Sequence, residues 1–293
     1  MVIRSKPVSL AACGVLALTG GCGLFDTSEG TPDARSGGGD ATDPGNGEST
    51  GDAAIGPDAS PLDELPDRVK DYIRADDYTR LIIEVDYVEG MEPRDGVEDD
   101  IEDLFADVLD KPDGIEAIRD DVLAPRDSDD GWSIEELRDL ADDNFDYEPD
   151  DDETVLHTLW VDGSSERDDD SSVILGLQFD RHIVLFKETI ESVCQGAALP
   201  TQEERTCRRT ERGIWIHEIG HAIGLVDNGL PMVEDHRDEE RGAHSKHDDC
   251  IMYWAYSQGG LGSRVRDAIA GDEPELGFDE YCLNDIAAVR DAP

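Results

Sequence analysis

Two histidines four positions apart, with a glutamate directly after the first, constrain this chain more than any other feature: His217-Glu218-Ile219-Gly220-His221. On an α-helix that spacing projects both imidazoles from one face, one turn apart, so the stretch is predicted to be helical. Both rings then reach one tetrahedral metal ion, and Glu218 reaches a water in an open position beside them. Zinc suits such donors. Three protein ligands leave its fourth position free, and a neighbouring carboxylate can take a proton from water and return it to a leaving amine. With seven histidines among 293 residues, the pattern would arise by chance in roughly 1–2% of such chains. Gly224 stands three places after the second histidine, and five of the seven histidines fall between His217 and His247. A satisfied core histidine explains one such residue, not this cluster.

The rest of the composition speaks about partners and solvent. A formal net charge of −47, from 25 Lys+Arg against 72 Asp+Glu, excludes electrostatic binding to a nucleic-acid backbone or an anionic membrane surface. Aspartate makes up 46 of the acidic residues and lysine only five of the basic ones. Such a surface suits high salt, where self-repulsion is screened. The acidic runs at 127–130, 150–152 and 168–170 carry calcium-type oxygens, but none has EF-hand spacing, so Ca2+ is unsupported and they read as solvated surface.

Residues 1–21 read as an export signal: Arg4 and Lys6, then an apolar stretch from Val8 to Leu18, then small residues up to Cys22. The segment 22–61 is Gly, Asp, Ser, Thr, Ala and Pro with almost nothing to bury, which predicts a flexible acidic tether. The folded domain is placed at 62–293. No run of 18 apolar residues follows the signal. Export into an oxidising compartment makes Cys194, Cys207, Cys250 and Cys282 candidates for two disulfides, and proximity favours Cys194–Cys207 and Cys250–Cys282.

Within the domain, hydrophobic periodicity predicts helices over 63–76, 97–109, 115–122, 133–141, 188–194, 211–225 and 279–289, and strands over 80–88, 155–161, 173–179 and 182–186. Ser133 with Glu136 forms a capping-box pattern. About fifty residues after the long helix show little periodicity, an unusual length unless function or a ligand holds them.

The string His217 to Asp227, followed by Cys250-Ile251-Met252-Tyr253, resembles the metzincin clan of zinc metalloproteases, with its H-E-x-x-H-x-x-G-x-x-H/D motif and Met-turn. The wider string resembles a group of bacterial lipoprotein metalloproteases. The close likeness covers Ile214 to Tyr256. It implies an α+β, zincin-like fold: a small twisted mixed sheet on helices, an active-site helix, a Met-turn and a C-terminal helix. It implies a zinc-dependent endopeptidase acting on peptides or proteins as a monomer, with Glu218 as general base and acid and His217 and His221 as ligands. Asp227 stands at the third-ligand position where most of the clan has histidine; His236 is its main rival, and His244 and His247 lie on the same loop. Met252 would floor the metal, and Gly224 would turn the chain. Tyr253 is a candidate for oxyanion or substrate contact, although the clan's tyrosine position here holds Trp254. Substrate would lie antiparallel along an edge strand, either 182–186 or the one before it. Leu18 to Cys22 resembles a lipobox, which implies a lipid anchor through Cys22 in a bacterial cell envelope. The competing expectation is a surface binding module that keeps the fold around a closed, structural zinc.

Overall fold

The computed structural model describes residues 65–128, 130–169 and 172–293. The expected signal, the expected lipidation site Cys22 and the expected tether lie outside the described residues.

Among the described residues, five strands form one sheet in the order β2-β1-β3-β5-β4. They are β1 (Arg80–Val88), β2 (Gly114–Leu123), β3 (Glu153–Val161), β4 (Gly176–Phe179) and β5 (His182–Phe186). β1 pairs in parallel with β2 and β3, β3 pairs in parallel with β5, and only β4 runs antiparallel, against β5. β4 is therefore an edge strand, turned back from β5 by a tight connection in which Asp180 takes a left-handed φ of 51°.

Side-chain alternation splits the strands between two apolar layers. Leu81, Ile83, Val85, Leu156, Trp160, Ile183 and Leu185 face the larger core. Leu159, Val161, Val184 and Phe186 face a smaller one, closed by Trp132, Leu137 and Ala141. The last two belong to α3 (Ile134–Asn144), whose first turn carries the expected capping box: Glu136 N donates to Ser133 Oγ at 3.3 Å and Ser133 N to Glu136 Oε2 at 2.9 Å.

The larger core is covered by α1 (Asp67–Ile73), α2 (Val97–Val108), α5 (Glu203–Ala222), α6 (Gly260–Ala270) and α7 (Glu280–Arg290), with α4 (Lys187–Ala197) leading from β5 to α5. The α+β class with a mixed sheet packed on helices agrees with the expectation from sequence.

Three elements differ from it. Residues 115–122 are the edge strand β2, not a helix. Parallel pairing with β1 from Gly114 to Leu123 outweighs the i, i+3 spacing of Ile115 and Ile118, since the strand's other face stays largely exposed and has no helical stripe to bury. α5 begins at Glu203, eight residues before the predicted start. The apparently aperiodic stretch contains α6, hidden by its glycines.

α5 is fixed to the sheet along its length. Trp215 Nε1 donates to Thr158 Oγ1 at 2.9 Å, and its ring meets Trp160 edge-on at 5.5 Å. One turn earlier, fully buried Glu211 accepts from Lys187 Nζ at 2.6 Å, Arg94 Nε at 2.8 Å and Arg94 N at 2.9 Å. A buried carboxylate with two cationic partners and a backbone donor satisfies the requirement for pairing a charge away from water. The disulfide Cys194–Cys207 ties α4 to the start of α5.

Candidate metal centre

The last turns of α5 hold His217, Glu218 and His221 on the face turned toward β4. A third imidazole, His244, joins them: His217, His221 and His244 each offer a ring nitrogen within 4.8 Å of the others. Ring centroids lie 4.8 Å apart for His217–His221, 5.2 Å for His217–His244 and 4.9 Å for His221–His244.

Backbone carbonyls orient two of the rings. His217 Nδ1 donates to Ile251 O at 2.7 Å and His244 Nδ1 to Arg241 O at 2.7 Å. Each bond places the proton on Nδ1 and leaves the Nε2 lone pair for the centre. His217 Nε2 faces His221 Nε2 at 3.2 Å, whereas His244 Nε2 is buried with no hydrogen-bond partner. Burial lowers the pKa of His217 to about 3, helped by neighbouring His244, and lowers those of His221 and His244 too. Three neutral, converging imidazoles with an orphaned lone pair fit a divalent zinc-type ion; as a purely apolar packing arrangement they would leave that nitrogen unsatisfied.

Glu218 lies beside this triangle and is almost fully buried, so desolvation pushes its carboxyl up to about 8. It sits against the edge strand. A Cβ placed on Gly176 of β4 would come within 2.8 Å of Glu218 Cγ and 2.9 Å of its Oε1. Only the absence of a side chain there lets the carboxylate occupy that position.

A cleft of about 320 Å3 opens over these groups, walled by β4 at Gly176, Leu177 and Gln178, by Glu218 and His221 below, and by Asn228, His244 and Gln258 on the far side. Of the two strands proposed for substrate alignment, β5 lies inside the sheet and β4 borders the cleft.

Met252 is fully buried beneath α5. A Cβ on Gly220 would lie 2.4 Å from its Sδ, so the helix comes down on the methionine at a glycine between the two histidines. Gly224, at φ 90°, ends α5 by a left-handed turn in which Leu225 N donates to Gly220 O at 3.0 Å.

The structure does not bring Asp227 to the histidines. Val226 and Asp227 continue the left-handed turn with φ of 55° and 61°, and the half-exposed Asp227 carboxylate pairs with Arg237. His236 is also elsewhere, buried with Nε2 on Asp285 Oδ2 at 2.8 Å. His244 reaches the centre because its loop folds back: Asp238 N donates to His244 O at 2.8 Å, Lys246 N to His236 O at 2.9 Å and Ser245 N to Met252 O at 2.9 Å. The last of these bonds joins the Met-turn to the residue after the third imidazole. His247 stacks on Tyr281 with ring centroids 4.6 Å apart.

Tyr253 does not line the cleft; it packs against Trp254 at 5.7 Å and Tyr256 at 5.4 Å. Cys250 and Cys282 are buried thiols in contact, Sγ to Sγ 3.5 Å, and the expected second disulfide is not formed. Sequence reasoning missed Gly176 and Gly220 as residues that admit Glu218 and Met252. Their only sequence signal is a glycine inside a strand and a helix, which marks close approach.

No family model matches the chain, and no curated protein matches it. Among solved structures it is similar to archaemetzincin from Methanopyrus kandleri, at 14% identity and a TM-score of 0.46, over 72% of this chain and 96% of that one. A likeness at that level assigns no residue its role.

Proposed function

We propose that this chain is a zinc-dependent endopeptidase of the zincin type. The observation that carries the proposal is the triangle of buried, neutral imidazoles with a buried carboxylate beside it, opening into a cleft bordered by an edge strand. His217, His221 and His244 hold the metal through Nε2, which revises the third ligand from Asp227 to His244. Zinc there supplies a Lewis acid and draws the pKa of water toward neutrality.

The remaining work falls to the chain's own groups. Glu218 accepts a proton from the attacking water and passes it to the departing nitrogen; its place on the cleft wall beside His221 and His244 suits both directions of transfer. β4, the edge strand that borders the cleft, aligns an extended peptide by strand addition, and Gly176 keeps that edge clear over Glu218. Met252 sets the level of the histidine-bearing turn through its contact at Gly220.

The competing reading, a binding module with a closed structural metal, has no use for a buried carboxylate facing an open cleft. We further propose that the enzyme works in the bacterial cell envelope, tethered by a lipid on Cys22.

The test is digestion of an unbiased peptide mixture by the zinc-loaded protein in high salt, read by mass spectrometry against Glu218→Ala. Cleavage by the parent alone, with zinc content equal in both, is the expected result. Equal cleavage by the variant refutes the role of Glu218, and no cleavage by a folded, zinc-loaded parent refutes the peptidase.

A further inference from the structure

We propose a calcium site on the face of the sheet away from α5, formed by Glu84 and Asp86 of β1 and Asp120 of β2. Each offers a carboxylate oxygen within 4.8 Å of the others. Leu81, Ile83 and Val85 face the larger core, so strand alternation puts Glu84 and Asp86 on the opposite face. In the parallel pairing with β2, Val85 lies opposite Arg119 and Tyr87 opposite Val122. That register sets both Asp120 and Asp121 against the single position of Asp86, a bulge. Asp121 N donates to Asp86 Oδ1 at 2.9 Å. None of the three belongs to the acidic runs of the sequence.

The buried oxygens point to a cation. Glu84 and Asp86 are both fully buried. Glu84 Oε1 accepts from Asp146 N at 3.0 Å and from Tyr147 N at 3.1 Å, but Glu84 Oε2 is buried with no hydrogen-bond partner. Among the described residues, the group's one ion-pair partner is His157, whose Nε2 lies 3.0 Å from Asp86 Oδ2, and no lysine or arginine joins it. Burial first, and then Asp86 beside them, raises the pKa of Glu84 and of Asp120. Carboxylates gathered out of water without a countercharge are strongly disfavoured. A water molecule satisfies a lone pair without neutralising charge; a divalent cation does both.

The donors select the cation. All three are carboxylate oxygens, hard ligands that suit calcium or magnesium rather than zinc or copper. Magnesium keeps several waters and takes one or two carboxylates, whereas calcium accepts more of them in a looser shell. Asp120 is exposed, which leaves the outer side of the shell to water. Bound here, calcium fastens the edge strand β2 to β1. Through the amides on Glu84 Oε1 it also holds residues 146 and 147, which follow α3. The site lies across the sheet from the three-histidine centre and shares no ligand with it, so its role is to stabilise the fold.

The test is equilibrium dialysis of the full protein against calcium chloride in molar potassium chloride, which screens diffuse binding to the acidic surface. Thermal denaturation is followed in the same buffer. The parent is expected to bind one calcium ion with a Kd of about 10⁻⁴–10⁻³ M, the range of extracellular modules, and to melt higher as calcium rises through that range. Asp120→Asn changes an exposed residue and should weaken this binding by about tenfold or more. Asp139→Asn, equally exposed on α3, should leave it unchanged.

Glu84→Gln separates binding from folding. It should abolish the calcium-dependent rise in melting temperature, yet melt in chelator at or above the parent, because an uncompensated buried charge has gone. Calcium binding that does not saturate, that Asp120→Asn and Asp139→Asn weaken alike, or that magnesium matches at equal concentration would each overturn the site. So would a parent whose melting temperature ignores calcium. None of these readouts depends on turnover or on the three-histidine centre.

Discussion

The choice between His244 and Asp227 as third ligand has a large expected consequence. Replacing His244 by alanine removes one of three donors, and the described residues place no substitute in reach, since the Asp227 carboxylate is turned out onto Arg237. Loss of an outer partner of a metal ligand costs about 10–100-fold in affinity. Loss of the ligand itself should reach or exceed the upper end, at least ~100-fold or about 2.7 kcal/mol. Asp227→Ala breaks only an ion pair whose acidic side chain is 50% and basic side chain 41% exposed. Such pairs contribute about 0–1 kcal/mol, so zinc affinity should change by less than about fivefold. The assay is competition against a chromophoric chelator, read for the binding step that His221→Ala abolishes. If Asp227→Ala loses that step and His244→Ala keeps it, the geometry of the 238–244 loop does not represent the binding-competent protein and the assignment fails.

Glu218→Gln should retain zinc and lose about 10²–10⁴-fold in kcat, the usual contribution of a proton-transferring group; comparing kcat and metal content in one preparation checks it. Gly220→Ala would drive a methyl into Met252 Sδ, where the separation would be 2.4 Å, and should destabilise by about 1–3 kcal/mol in a urea melt; a neutral result would mean the contact is slack. His182 is depressed to about 4 by burial and by His157, whose Nδ1 lies 2.8 Å from its own. The unfolded chain takes that proton first, so the stability is whole above about pH 6.5 and falls by up to about 3 kcal/mol as pH drops to 4. His182→Gln should flatten the stability profile across that window, and an unchanged slope would reject the assignment. Removing Cys194–Cys207, with a sequence separation of 13, should cost about 3 kcal/mol on the chain-entropy account, measured as a lower denaturation midpoint for the double serine variant.

What was legible in the sequence follows the range of the interaction concerned. The pairing of His217 with His221, the position of Glu218 and the capping box at Ser133 are set within one or two helical turns, and each can be read from spacing. The strand β2 was not legible because Ile115 and Ile118 fit a helix as well as a strand; its state is decided by β1, a partner more than thirty residues away. The helix α6 was hidden for a related reason. Glycines argue against helix by local propensity, yet Gly260 and Gly262 are demanded by neighbours: a Cβ would meet Ala255 O at 2.6 Å and Val193 Cγ1 at 2.9 Å.

The third ligand shows the same limit most sharply. Asp227 is close to His221 in sequence, and a motif read by spacing selects it. His244 is far along the chain and becomes a ligand only through bonds that spacing does not encode. Its Nδ1 must be held by Arg241 O, and its loop must close through Asp238 N and Lys246 N. The Met-turn completes the arrangement, because Ile251 O orients His217 while Met252 O receives Ser245 N. One short segment thus fixes one imidazole directly and another through the next residue, while its methionine bears on Gly220 between the histidines of α5. The buried thiol of Cys250 lies in the same segment, against Cys282 of α7. A disturbance of α7 is therefore transmitted to the metal triangle along backbone and packing contacts.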